Sequence, residues 1–138
     1  MAAKDLFHES VKKALLKDQW MITAEPLRLK FEGIRLAIDL AAEKILAAQK
    51  GNQRIAVEIK SFLNDSALID FHLALGQFLN YKLALQMSEP ARTLYLAIPL
   101  EAFESFFQEK FIQESIQQYE LKLLVYNPEQ EQIERWIN

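Results

Sequence analysis

The sequence has no cysteine among its 138 residues. This absence excludes a disulfide framework, a zinc site built from thiolates and a cysteine nucleophile. It also favours an intracellular protein, because disulfides are common in secreted domains and rare in the cytosol. We therefore expect a cytoplasmic location.

Glycine and proline are scarce as well, with three and four residues, and no stretch is rich in serine. The sequence therefore indicates neither a flexible linker nor a disordered tail. Because 51% of the residues are apolar, a chain of this length can bury one substantial core. We expect a single domain over residues 1–138.

Long apolar runs and excess positive charge are also missing. No stretch approaches the ~20 uncharged residues of a membrane helix, and the start, MAAKDLFHES, lacks the apolar run of a signal peptide. We expect no membrane contact. The net charge of −3 gives no broad attraction for phosphate backbones, so any contact with DNA must be local, metal-assisted or provided by a partner.

Hydrophobic periodicity predicts helices and strands in alternation. Helices are expected at residues 4–18, 67–87 and 100–118 (one or two helices), strands at 20–24, 54–60, 92–98 and 121–126, and a short element of either type at 132–137. The helix at 67–87 is rich in apolar residues and is expected to be mostly buried. The strand at 92–98 has the nearly continuous apolar run of a sheet centre. This order predicts an α/β fold with a mixed sheet flanked by helices.

Residues 35–49 allow two interpretations. Their alanine, leucine, glutamate and lysine content favours a helix, whereas the alternation of Leu36, Ile38 and Leu40 favours a strand. A turn signal follows at Lys50-Gly-Asn-Gln53 and is itself followed by an alternating strand. A β-hairpin is therefore the preferred interpretation.

An acid and a base share one face of the second hairpin strand. Alternation places Glu58 and Lys60 with Ala56, opposite the bulky aliphatic residues, and ~7 Å apart along the strand. The preceding strand places Asp39 and Glu43 on one face in the same way. Paired carboxylates bind Mg²⁺ through oxygen, and a nearby lysine stabilises charge at a phosphate under attack. The alternative is an ordinary salt bridge between Glu58 and Lys60 on a solvated strand face.

Either Asp39 or Glu43 can be the acid that faces Glu58. A turn centred near Gly51 places Glu43 directly across from Glu58, whereas a bulge or a wider loop brings Asp39 there. The spacing favours Asp39, because Asp39 followed by Glu58-Ile-Lys60 resembles the PD-(D/E)xK nuclease signature. Ile38 stands where that signature has proline.

Three further residues are secondary candidates. Gln77 and Tyr81 share one face of the long helix, and the Gln-x-x-x-Tyr spacing resembles an element that follows the active-site strands of RecB-like nucleases. They could instead only tie the helix to the sheet by hydrogen bonds. Glu9 lies where some nucleases of this fold carry another acidic ligand, but a surface pair with Lys13 is the preferred interpretation.

Four phenylalanines near the C-terminal part are expected in the core: Phe103, Phe106, Phe107 and Phe111. Alternatively, Phe106-Phe107 beside Trp136 could mark an exposed apolar patch for a partner subunit. A homo-oligomer therefore stays open.

Over its whole length the chain resembles the XisH family, the excision controlling factors of a cyanobacterial DNA element (the fdxN element) that interrupts a nitrogen-fixation gene. The stretches that carry the resemblance are Ile38-Asp-Leu-Ala-Ala-Glu-Lys44, Ile55-Ala-Val-Glu-Ile-Lys-Ser-Phe62, Ala74-Leu-Gly-Gln-Phe78 and Leu94-Tyr-Leu-Ala-Ile-Pro99. The resemblance implies a restriction-endonuclease-like fold and a role beside a site-specific recombinase and an accessory protein of the XisI type.

Three functions follow as expectations. The first is an excision controlling factor that assists the recombinase, with local DNA binding through the nuclease-like fold. The second is a Mg²⁺-dependent DNA endonuclease in which Asp39 and Glu58 hold the metal and Lys60 positions or activates the attacking water. The third is a non-catalytic interaction scaffold, because fold alone does not settle function.

Overall fold

The computed structural model describes residues 6–45 and 52–138. The elements in these ranges are α1 (His8–Lys17), β1 (Met21–Ala24), β2 (Leu27–Phe31), β3 (Ile34–Ile38), β4 (Leu40–Ile45), β5 (Asn52–Ile59), α2 (Ala67–Ser88), β6 (Arg92–Pro99), α3 (Leu100–Glu104), α4 (Lys110–Gln118), β7 (Leu123–Asn127) and β8 (Gln132–Ile137). A single 3₁₀ turn, Phe106–Gln108, joins α3 to α4.

The main sheet has the strand order β1-β4-β5-β6-β7-β8, and β2 and β3 form a separate two-stranded sheet. Strands β5, β6 and β7 are parallel, while β1, β4 and β8 pair antiparallel with their neighbours. The parallel pairs need crossover connections, and α2 and the α3–α4 segment provide them. The predicted α/β fold, a mixed sheet flanked by helices, is confirmed, and β6 lies in the sheet interior as expected.

Both faces of the main sheet are covered, and the alternation of β5 shows how. Ile55, Val57 and Ile59 pack in one core with residues of α1, whereas Ala56 packs in the other with residues of α2 such as Phe78. Side chains of a strand alternate between faces. Glu58 is therefore directed to the face that α2 covers.

The interpretation of residues 35–49 as strand is correct for the part that the structure describes, but this is not one strand. The chain bends at Asp39, so that β3 and β4 belong to different sheets. The β2–β3 hairpin was absent from the prediction, and its turn uses Gly33 at φ +79, a conformation that glycine adopts without strain. The turn predicted at 50–53 lies partly outside the described residues.

The expectation that the long helix is mostly buried is wrong. α2 is an outer layer, and only one of its faces packs on the sheet. Its other face exposes large apolar side chains, namely those of Leu68, Ile69, Leu73, Leu79, Leu83 and Met87. The prediction that Phe111 lies in the core is also wrong, since this residue on α4 is 72% exposed, whereas Phe107 is fully buried.

No helix within the described ranges is both long and apolar enough to cross a membrane.

Candidate functional site

The bend between β3 and β4 brings Asp39 against Glu58. The β4–β5 register pairs Leu40 with Val57. The next residues in this register, Asp39 and Glu58, therefore lie opposite each other. The backbone N–H of Asp39 donates to Glu58 Oε1 over 3.3 Å. The backbone N–H of Ile59 donates to Asp39 Oδ2 over 2.8 Å. Backbone hydrogen bonds therefore hold the two carboxyl groups side by side at the open end of the hairpin.

Glu43 lies elsewhere on the hairpin. It is opposite Arg54, and its carboxylate accepts hydrogen bonds from Asn52 Nδ2 at 2.6 Å and Arg54 Nε at 3.3 Å. These two donors hold the pKa of Glu43 below its usual value. The register with Glu43 across from Glu58 is therefore not the one adopted, because Ile45 pairs with Asn52.

Glu58 is strongly perturbed by its surroundings. Its side chain is buried, with 6% of the residue exposed, so a solvated surface salt bridge with Lys60 does not describe it. Burial, repulsion from the Asp39 carboxylate and a hydrogen bond with that side chain raise the pKa of Glu58 to about 8, and the charge of Lys60 opposes them. Near neutral pH the carboxyl pair therefore retains a proton, which a divalent cation can replace.

Lys60 follows the last residue of β5 and stays attached to the sheet. Its backbone N–H donates to the carbonyl of Ala97 at 3.0 Å, which continues the parallel β5–β6 pairing by one residue. The residue is half-buried, and its ammonium lies close enough to Glu58 to act on the pKa of that carboxyl. The charge of Lys60 thus acts on the Glu58 carboxyl, and a role of Lys60 in the site stays a prediction.

The predicted Gln77 and Tyr81 lie on α2. Burial and the charges of Glu58 and Asp39 raise the pKa of Tyr81 to about 12, so its hydroxyl lies within electrostatic reach of both acids. Gln77 is one turn away on the same side of the helix, and its Oε1 atom is buried without a hydrogen-bond partner among the described residues. Tyr81 is therefore influenced by the charges of the acidic pair, whereas Gln77 has an unsatisfied polar atom.

Glu9 does not join this group. It is exposed in the first turn of α1, and α1 packs on the sheet face opposite to the one that Glu58 occupies. The predicted pair between Glu9 and Lys13 is not the contact seen, because the Lys13 ammonium lies 3.4 Å from Glu131. Among the described residues, no three acids, histidines or cysteines cluster to hold a metal ion, so the site offers two acids. Their roles as ligands stay predictions.

The β2–β3 hairpin carries a basic surface that was not predicted from the sequence. Arg28 and Lys30 on β2 and Arg35 on β3 are exposed. The alternate residues pack against the core, apart from the exposed Ile34; they are Leu27, Leu29, Phe31, Leu36 and Ile38. Lys30 lies directly opposite Arg35. We call these three residues the basic hairpin; within the described ranges, none forms an ion pair. Alternation on both sides of Glu32-Gly33 was the signal that could have revealed it.

Comparison with known proteins agrees with the resemblance seen in the sequence. The family model described as XisH protein matches residues 1–134. A solved structure of an XisH family protein from Nostoc punctiforme PCC 73102 is 47% identical, with a TM-score of 0.89, and the match covers 97% of this chain and 100% of that one. A fdxN element excision controlling factor protein from Anabaena variabilis is 49% identical, with a TM-score of 0.88 and coverage of 98% and 100%. No curated protein matches the sequence. The chain belongs to the XisH family.

Proposed function

We propose that this XisH family member is an excision controlling factor that assists a site-specific recombinase, and that it binds DNA at a divalent-cation site formed by Asp39 and Glu58. The Anabaena variabilis relative bears the name of such a factor at 49% identity. The observation that carries the site is the hydrogen-bonded Asp39–Glu58 pair at the end of the hairpin.

The acidic pair suits a hard cation. Mg²⁺ is usually bound by one or two protein carboxylates together with phosphate oxygens and water. Asp39 and Glu58 are the residues that would hold it, and both are positioned by the backbone of β4 and β5. The ion would neutralise the repulsion between the carboxylates and attract a DNA phosphate. Lys60 adds a positive charge on the same side.

The basic hairpin supplies the local positive charge that the whole chain lacks. Like charges directly opposite each other on a strand pair are unfavourable, yet Lys30 faces Arg35. A phosphate backbone lying across the hairpin would offset this repulsion and release counterions. The hairpin ends one residue before Asp39, so a strand held there reaches the acidic pair.

A Mg²⁺-dependent endonuclease is the second candidate function. Lys60 favours it, because a lysine beside two metal-holding acids can orient or activate the water that attacks a phosphodiester. The accessory role ranks first since three exposed cations offer few phosphate contacts for a free-standing enzyme on long duplex. The recombinase and an XisI-type protein are the proposed protein partners.

Binding of labelled duplex DNA, with and without Mg²⁺, tests the proposal. We expect the wild-type protein to bind more tightly with Mg²⁺, and we expect Asp39→Asn and Glu58→Gln to lose this dependence. Glu43→Gln is the matched control, because Glu43 lies on the same hairpin away from the pair. DNA binding that ignores Mg²⁺ in all four proteins would contradict the cation site.

A cleavage assay and partner binding separate the alternatives. Accumulation of cleaved DNA in Mg²⁺, abolished by Lys60→Ala, would establish the endonuclease. A protein that binds neither Mg²⁺ nor DNA but still binds the recombinase or the XisI-type protein would be a scaffold. Full binding without cleavage is the result that the accessory role predicts.

A further inference from the structure

The outward face of α2 is largely apolar. Six large apolar side chains are exposed on it: Leu68, Ile69, Leu73, Leu79, Leu83 and Met87. The helix has 22 residues, and the other exposed ones are His72, Gly76, Asn80, Gln86 and Ser88. No Asp, Glu, Lys or Arg is among them, although a quarter of the whole chain is charged. A surface helix normally turns its charged residues toward water, so this face has the composition of an interface.

Gly76 lies in the middle of this face without an internal reason for glycine. Its backbone is helical, and a Cβ atom added there would meet nothing within 4 Å. Glycine destabilises a helix interior relative to alanine. A glycine on an exposed helix face that the chain itself does not require indicates that another backbone approaches closely.

The central residues of the face form a self-complementary stripe. Along α2 they are Ile69, Leu73, Gly76, Asn80, Leu83 and Met87, spaced alternately by four and three residues as in helices that pack along their length. The pattern is symmetric about Phe78. When the stripe is laid antiparallel on itself, Ile69 meets Met87, Leu73 meets Leu83, and Gly76 meets Asn80.

We propose that this face is a homodimer interface in which α2 packs antiparallel against α2 of a second copy of the chain. A two-fold axis at the level of Phe78 makes one patch complementary to itself, as a dimer requires. The larger Asn80 then fits against Gly76 of the other copy, where the backbones approach most closely.

Size and electrostatics favour a second copy. The six apolar residues are each at least 40% exposed, so with the small and polar residues between them they offer apolar area toward the ~800 Å² that each partner buries in a standard interface. An antiparallel pair also places the positive end of each helix dipole beside the negative end of the other. The proposal does not depend on the acidic pair or on DNA.

Sedimentation of the full chain over a range of concentrations tests the dimer. We expect a dimer in the wild type and a rise of roughly a hundred-fold in its Kd for Leu83→Glu, because two carboxylates would enter an apolar interface. Phe111→Glu is the matched control, because Phe111 is an exposed apolar residue on α4, outside this face. Because both sites are exposed, we expect both variants to fold, and circular dichroism would check this. A monomeric wild type, or a dimer that Leu83→Glu leaves intact, would overturn the proposal.

Cysteine pairing tests the orientation, since the chain has no native cysteine. A mixture of Leu73→Cys and Leu83→Cys proteins should form a disulfide-linked dimer on oxidation. Neither protein should do so alone, because ten residues of helix separate the two like positions by about 15 Å, beyond disulfide reach. Linkage within each single variant, with no disulfide between the two different variants in the mixture, would indicate parallel helices and overturn the antiparallel arrangement. No linkage at all would assign the face to a partner of different sequence.

Discussion

Asp39 and Glu58 face each other at the open end of the β4–β5 hairpin, where the backbone N–H of Asp39 donates to Glu58 Oε1 over 3.3 Å. Two neighbouring acids, of which Glu58 is buried, repel each other when both are ionised. Such an arrangement weakens the metal-free fold, and a cation is the simplest means of relieving it. Proteins commonly accept this kind of local instability at functional sites.

Glu58→Gln should therefore stabilise the metal-free protein. The pKa of Glu58 in the folded chain, about 8, lies above the ordinary value of 4.5, so the folded chain keeps a proton that the unfolded chain releases. The free energy of unfolding of the wild type then falls as pH rises from 4.5 to 8. The variant lacks this decline and should be more stable by roughly 2 kcal/mol near neutral pH. Urea unfolding in EDTA at several pH values measures the stability of both proteins and its pH dependence. Identical pH profiles for the wild type and Glu58→Gln would contradict the prediction.

Removing the three positive charges of the basic hairpin should weaken the electrostatic part of DNA binding. The triple variant Arg28→Ala, Lys30→Ala, Arg35→Ala should reduce the slope of log Kobs against log salt by ~3, about 0.9 per lost phosphate contact. A triple variant of exposed lysines elsewhere, Lys13→Ala, Lys17→Ala, Lys110→Ala, carries the same charge change. Equal slopes in the two variants would mean that the hairpin does not contact phosphate.

Glu25 should make the fold sensitive to acid. Its carboxylate accepts hydrogen bonds from Lys12 at 2.8 Å and His8 at 2.6 Å, which lower its pKa from 4.5 to about 2. A depressed pKa gives stability that is present above the unfolded value of 4.5 and is lost as pH falls toward 2. Glu25→Gln should lower the free energy of unfolding by roughly 1 kcal/mol above pH 5, after allowance for solvent screening. The difference should vanish near the lower pH, as acid titrations of both proteins would show.

Gly76→Ala should have opposite effects on the monomer and the dimer. In the Leu83→Glu background, which we expect to be monomeric, alanine should raise the free energy of unfolding by ~1 kcal/mol, because it favours the helix and its Cβ meets open space. In the wild-type background the same change should weaken dimerisation. If alanine stabilises the monomer and also strengthens dimerisation, no second backbone approaches this position.

The hairpin could be predicted from the sequence because its second strand alternates strictly. Ile55, Val57 and Ile59 pack on one face, whereas Ala56 packs on the other, to which alternation also directs Glu58. The break at Asp39 could not be predicted, because alternation runs through the bend without interruption and only the two-sheet topology reveals it.

Other features depend on tertiary placement that local patterns do not encode. The register of β4 on β5 could not be predicted, because a turn signal at Gly51 does not specify how many residues join the two strands. The apolar content of α2 suggested burial, but composition does not say how many neighbours cover a helix. The exposure of Leu73 and Leu83 follows only from the position of α2 as an outer layer.

A crystal soaked in Mn²⁺, an anomalous scatterer that substitutes for Mg²⁺ at oxygen sites, tests the cation site most directly. We predict one anomalous peak coordinated by the carboxylates of Asp39 and Glu58 in the wild type, and no peak there in Glu58→Gln. An anomalous map with no peak at this pair in the wild type, or with the same peak in the variant, would contradict a divalent-cation site at the end of the hairpin.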